Sequence, residues 1–232
     1  MTFADKILQF NSELHLDPAI LPDGIGVMNP FKGENAETVW DISTQFYRKF
    51  YNDGKPRRWI LGINPGRHGA GVTGIPFTDT KRLNEECAIP FSRFNTYEPS
   101  SVFVYEVIKA FGGAERFYGE FFINSICPLG FVKLNDAGKW VNYNYYDRKD
   151  LQQAVEPFIL NTLQKQIALG LDTETVYCMG SGKNVNFLTK LNEKHRLFGR
   201  IIALDHPRFV VQYKQKHMAE YVQRYLDALN NP

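Results

Sequence analysis

The chain holds few cysteines, little net charge and no long apolar run, and each shortage removes a class of function. Its three cysteines, Cys87, Cys127 and Cys178, stand far apart in 232 residues. Three thiolates cannot hold a four-cysteine iron–sulfur cluster, and none belongs to a CxxC pair. Cys127 and Cys178 fall in apolar runs, where cysteine behaves as a small buried hydrophobe. No apolar run approaches the roughly 20 residues that span a bilayer. The opening MTFADKILQF carries an acid and lacks the apolar stretch of a secretory signal, so a cytoplasmic protein without membrane contact is expected. A net charge of +2 excludes a polybasic nucleic-acid arm but leaves room for a localised basic groove. The five histidines, at 15, 68, 195, 206 and 217, show no paired ligand spacing and no HExxH. There is no HxE followed by PCxxC, which disfavours a zinc deaminase, and no GxSxG elbow of a serine hydrolase. Neither a metal nor a cofactor is expected.

Hydrophobic residues make up 44% of the chain, enough for a sizeable core. Four short apolar runs read as buried strands: RRWILGI (57–63), EFFINSI (120–126), TVYCMG (175–180) and RIIALD (200–205). They do not alternate strictly, which is how strands covered on both faces read. Helical spacing marks FADKILQFNSEL and AETVWDISTQFYRKFY before the first strand, and FVVQYKQKHMAEYVQRYLDAL at the end. Between strands it marks SSVFVYEVIKAFGG, DRKDLQQAVEPFILNTLQKQIALG and KNVNFLTKLNEKH. This alternation predicts an α/β fold with a parallel sheet and helices on both faces. One domain is expected over 1–232, with a helical part over 1–56 packing on the sheet. LDPAILPDGIGVMNPFKG, rich in Pro and Gly, reads as loop, and WVNYNYYDRKD as an exposed aromatic loop.

Ligands of such sheets bind beyond the carboxyl ends of the strands. Here each strand ends in polar residues: Asn64-Pro65-Gly66, Asn124-Ser125 before Cys127-Pro128, Gly180-Ser181-Gly182-Lys183, and Asp205-His206-Pro207-Arg208. Pro65 forces Asn64 into extended backbone, and Gly66 permits close approach, so the turn can aim the Asn carboxamide outward. The alternative is an Asx-type turn that only bonds local backbone. GSGKN at 180–184 is not a Walker A motif, because Tyr177 stands where Gly is needed and Asn184 where Ser or Thr is needed. It remains a glycine-rich helix start, suited to a backbone phosphate.

Together these endings resemble the uracil-DNA glycosylase superfamily. GINPGRHGAGVTGIPF is similar to the first motif of its single-strand-selective monofunctional branch, NSICPLGF to that branch's N-x-C-P-L segment, and DHPR to its second motif. The resemblance implies a three-layer α/β/α sandwich on a four-stranded parallel sheet. It implies that Asn64 positions the water, that His206 supports the leaving pyrimidine, and that Phe77 stacks on the base. Ile63 and Gly66 would offer backbone to the substrate. Counting back from Cys127-Pro128-Leu129 puts Ser125 in the register of the base-reading Asn, while Asn124 has the better chemistry. Neighbours on a strand face opposite ways, so one of the two is expected to read the base. Arg67, His68, Ser181 and Lys183 would meet DNA, as would Arg208 and Phe209, one of which would fill the gap left by the base. The segment after His206 is shorter than in the family. The implied activity is metal-free release of uracil, with other deaminated bases as further candidates, from single- or double-stranded DNA by a monomer. Two rival readings remain: an inactive nucleic-acid-binding module on the same fold, and a small-molecule enzyme binding a phosphorylated ligand at Gly180–Asn184.

Overall fold

A computed structural model describes residues 1–231; Pro232, the last residue of the expected domain, lies outside the described residues. In chain order the elements are α1 (Phe3–Glu13), β1 (Ile25–Met28), α2 (Ala36–Phe50), β2 (Arg57–Gly62), α3 (Ala70–Thr73), α4 (Thr80–Glu85), α5 (Pro99–Phe111), α6 (Ala114–Glu120), β3 (Phe121–Ser125), β4 (Gly130–Leu134), β5 (Trp140–Tyr143), α7 (Lys149–Ile167), β6 (Leu171–Met179), α8 (Lys183–His195), β7 (Arg200–Leu204), α9 (Pro207–Tyr213) and α10 (Met218–Asn230).

The four apolar runs form one all-parallel sheet in the order β3-β2-β6-β7. Trp59, Ile60 and Leu61 are consecutive and all buried, so helices cover both faces of β2. β6 starts earlier than its apolar run suggests. Its first half, Leu171–Glu174, is polar after the buried Leu171, and the register against β2 shifts there: Arg58 pairs with Asp172 but Trp59 with Val176. One apolar core runs from Phe3 on α1 to Leu229 on α10. Arg57 at the start of β2 is fully buried within it. Its guanidinium donates to Asp53 at 2.9 Å, to the Tyr118 carbonyl at 2.9 Å and to the Lys55 carbonyl at 2.8 Å. The buried charge is therefore paired and hydrogen-bonded.

Two expected loops are not loops. LDPAILPDGIGVMNPFKG contains a 3-10 turn at Pro18–Ile20 and strand β1. The aromatic WVNYNYYDRKD contributes β5, and its Tyr145 is fully buried. β1, β4 and β5 form a second, antiparallel sheet in the order β1-β4-β5. The β4–β5 turn is set by Asn135, whose side-chain oxygen accepts from the Ala137 and Lys139 amides, and by Gly138 at φ +69°. The C-terminal run is also not continuous: it breaks at Lys214, and a 3-10 turn at Gln215–His217 separates α9 from α10.

The two sheets touch at Gly130. A Cβ there would lie 2.6 Å from the Pro65 carbonyl oxygen and 2.5 Å from Met28 Cε. Glycine thus lets β4 pass directly beneath the turn that follows β2. Gly130→Ala is expected to cost about 1–3 kcal/mol by overpacking. Urea denaturation checks it; unchanged stability would contradict the close approach.

Candidate active site

The sheet order places a topological switch point at β2. The chain leaves β2 for β3 on one side, then crosses to β6 on the other. Such a crossover opens a crevice beyond the carboxyl ends of the strands. The crevice here is a cleft of about 750 Å³. Residues following β2 (Ile63–Gly66), β6 (Gly180–Asn184) and β7 (Asp205, His206) line it, together with Phe77 and the start of α5.

Asn64 stands half-buried at its edge, with a carboxamide fixed at both ends. Its Nδ2 donates to the Tyr143 carbonyl at 3.2 Å, and the Tyr145 amide donates to its Oδ1 at 3.2 Å. Neither Asx-turn isolation nor free projection describes this side chain. A contact to the Pro65 carbonyl at 3.4 Å is the only local one, and the others come from the β5 segment. Since the Tyr145 N–H demands an acceptor, the oxygen's orientation is set, and one of its two lone pairs remains for a ligand.

His206 is the N-cap of α9, and its Nδ1 accepts the Arg208 amide at 3.1 Å. Burial, helped by the Arg208 charge, lowers its pKa to about 4. The ring is therefore neutral at neutral pH, with Nδ1 an acceptor and Nε2 carrying the proton. The centre of this ring lies 6.3 Å from that of Phe77.

Phe77 takes φ +54°, a region that non-glycine residues rarely occupy. Fully buried Thr73 clamps that turn. Its hydroxyl donates to the Thr78 carbonyl at 2.7 Å and accepts from the Ile75 amide at 3.2 Å. Thr78 in turn bonds the buried Tyr105 hydroxyl at 3.0 Å. The ring lies against the end of β2, where a Cβ on Gly62 would be 3.2 Å from it. Glycine at 62 is what admits the ring, and the clamp holds it there without a ligand.

Other expected site residues divide into two groups. Ile63, Gly66, His68, Ser181, Lys183, Arg208 and Phe209 all line the cleft. A Cβ on Gly66 would meet nothing of the protein closer than Asn142 Nδ2 at 3.7 Å, so the space beside it belongs to the cleft. Arg67, Asn124 and Ser125 do not line it. Arg67 donates its guanidinium to the Trp140 carbonyl at 2.5 Å. Asn124 is held by Gln166 of α7 at 2.7 Å, with its own oxygen accepting the Ser125 amide. Ser125 is buried at the end of β3.

Two lining residues have surroundings that the sequence did not indicate: Asn184, read there only as part of a glycine-rich helix start, and Glu98. Asn184 is 1% exposed. Its Nδ2 donates to the Met179 carbonyl at 2.8 Å, and its Oδ1 accepts the Tyr145 hydroxyl at 2.7 Å. Glu98 carries a buried Oε2 without a hydrogen-bond partner. Burial first, and the nearby Asp79 second, push its pKa up to about 8. Asp79 itself is fully buried but accepts from the Arg82 and Glu98 amides and the Ser101 hydroxyl. Among the described residues no group of three His, Cys, Asp or Glu is placed to hold a metal ion.

The sequence model of the uracil DNA glycosylase superfamily matches residues 48–230. The chain belongs to this superfamily. The crystal structure of wild-type Pedobacter heparinus SMUG2 is similar to it at 53% identity, with a TM-score of 0.95 over 100% of both chains. That neighbour agrees with the single-strand-selective branch that the motifs resemble. No curated protein matches the chain. The chain is a DNA glycosylase, and its parallel sheet is the superfamily's.

Two ionisations are open to measurement. His206 titrates near 6.5 when unfolded and near 4 when folded. Its neutral form contributes stability that is present above pH 6.5 and is lost as pH falls through about 4. An NMR titration of its ring is expected to show a midpoint near 4; a midpoint near 6.5 would contradict the buried, neutral state. Glu98 shifts the other way, from 4.5 to about 8, so the folded protein loses stability as pH rises across that window. Glu98→Gln is expected to flatten the decline in Tm between pH 5 and pH 9, and an equal decline in both proteins would refute the raised pKa.

Proposed function

We propose that this glycosylase hydrolyses the N-glycosidic bond of uracil in DNA and leaves an abasic site without cutting the strand. The observation that carries this reading is a neutral His206, its Nε2–H free to donate, in one cleft with Phe77 and Asn64. A base inside a stack is out of reach, so the nucleotide is extruded into the cleft at a cost of a few kcal/mol. Phe77 receives it as a stacking floor, which contributes about 1–3 kcal/mol. Cleavage puts negative charge on the departing ring, and the His206 Nε2–H is a fixed dipole for that charge. Asn64 Oδ1, oriented by the Tyr145 amide, holds the water that attacks the sugar carbon. Asn is too weak a base to deprotonate that water outright, so it positions it.

The substrate range follows from the walls. Neither the Asn124 nor the Ser125 side chain lines the cleft. Few side chains therefore select among base edges, and other deaminated bases with a carbonyl facing His206 fit the same chemistry. Single-stranded DNA is the preferred substrate and duplex the slower one, because the segment after His206 that would fill the gap left by the base is short, with Arg208 and Phe209 exposed at its start.

A uracil-containing single-stranded oligonucleotide, incubated with the protein and treated with alkali, is expected to break at the uracil. Asn64→Ala is expected to lower the single-turnover rate by about 100-fold or more, as loss of a positioned nucleophile does. Absence of any alkali-labile site would sink this reading and leave the two rivals, a binding module and a small-molecule enzyme. Unchanged cleavage by Asn64→Ala would move the water elsewhere.

A further inference from the structure

Asn64 does not orient itself. Both ends of its carboxamide are held by backbone of one short segment, the Tyr143 carbonyl and the Tyr145 amide. That segment starts at the last residue of β5, on the small antiparallel sheet rather than the parallel sheet from which Asn64 emerges. Something must fix its position relative to β2. The Tyr145 side chain does so. It is fully buried, its ring packs against Phe187 of α8 at 4.9 Å, and its hydroxyl donates to Asn184 at 2.7 Å. Asn184 is anchored in turn to the end of β6 through the Met179 carbonyl, with a longer contact to the Gly62 carbonyl at 3.5 Å.

We infer that Tyr145 is a positioning residue for catalysis: its buried hydroxyl, locked on Asn184, sets where the 143–145 backbone lies and thereby aims the Asn64 carboxamide into the cleft. The role rests on Asn64 being the residue that holds the water. Without the hydroxyl, the Asn184 oxygen is left buried with no replacement donor. The ring still fills its site, so the fold persists while the 143–145 backbone gains freedom. Misplacing a catalytic group by a fraction of an ångström is costly to rate and indifferent to binding.

Tyr145→Phe tests this on the full chain. In single-turnover cleavage of a uracil-containing single-stranded oligonucleotide, the rate is expected to fall about tenfold, with oligonucleotide affinity within twofold of wild type. In an Asn64→Ala background the same change is expected to alter the residual rate less than twofold, since there is no carboxamide left to aim. An equal loss in both backgrounds, or a wild-type rate for Tyr145→Phe, would overturn the assignment. A second readout does not need activity. The side-chain amide signal of Asn64, identified by its disappearance in Asn64→Ala, is expected to shift or broaden in Tyr145→Phe; an unmoved signal would also overturn it. If wild-type protein released no uracil, the proposed function would fall, while the amide signal would still report whether Tyr145 aims Asn64.

Discussion

Where β2 and β6 run out, their last carbonyl groups and the segment beyond β5 converge on a single buried carboxamide. Asn184 meets them from the first turn of α8, donating to the strand end at Met179 and accepting from Tyr145. Every polar atom of that side chain has a partner in a place water does not reach. A half-satisfied amide there would be worse than none, so the arrangement is close to all-or-none. The rest of the cleft depends on it. The end of β2 carries Gly62 and Asn64, the loop after β6 carries Ser181 and Lys183, and the segment 143–145 steers Asn64.

Phe77 and His206 are organised differently, each by a local backbone device. Phe77 is held at positive φ by the Thr73 clamp, and His206 is held by its own helix, whose second amide takes up Nδ1. The base floor and the donor are thus built independently of the small sheet, while the water holder is not. Stacking and charge stabilisation are preset by short-range contacts; water placement depends on contacts spanning about 80 residues of sequence, from Asn64 to Tyr143 and Tyr145.

The sheet was legible because doubly covered parallel strands read as apolar runs, and the four runs found from sequence are the four strands observed. The polar half of β6 escaped because it lies where register slips and pairing, not burial, defines the strand. β1 and β5 escaped for a related reason: they are four residues each, partly exposed, and stabilised by partners distant in the chain. Asn64 and His206 were legible as polar positions at strand ends, and Phe77 through the resemblance of the first motif, and the fold gathers all three into one cleft. Glu98 and Tyr145 were not, and Asn184 was read only as part of a phosphate-binding helix start, since its buried hydrogen bond to Tyr145, 39 residues away, leaves no local pattern. Of the two candidates for reading the base edge, Ser125 was placed by motif register and Asn124 by its chemistry, and the structure directs Asn124 to Gln166. Arg67 was expected to meet DNA; it does not line the cleft, and its guanidinium donates to the Trp140 carbonyl.

The three thiols have a use that has nothing to do with catalysis. Cys87, Cys127 and Cys178 are all buried, and burial raises their pKa values to about 11, 12 and 12. Each sits in a different part of the scaffold. Cys87 contacts the Tyr105 hydroxyl under α5, Cys127 follows β3, and Cys178 lies in β6 at 3.4 Å from the Asn184 amide. An alkylating reagent can reach none of them without local opening, and reacts only with the thiolate. The rate at which each one is labelled is therefore a clock for a different region. The clock at Cys178 counts how often the floor beneath the cleft comes apart.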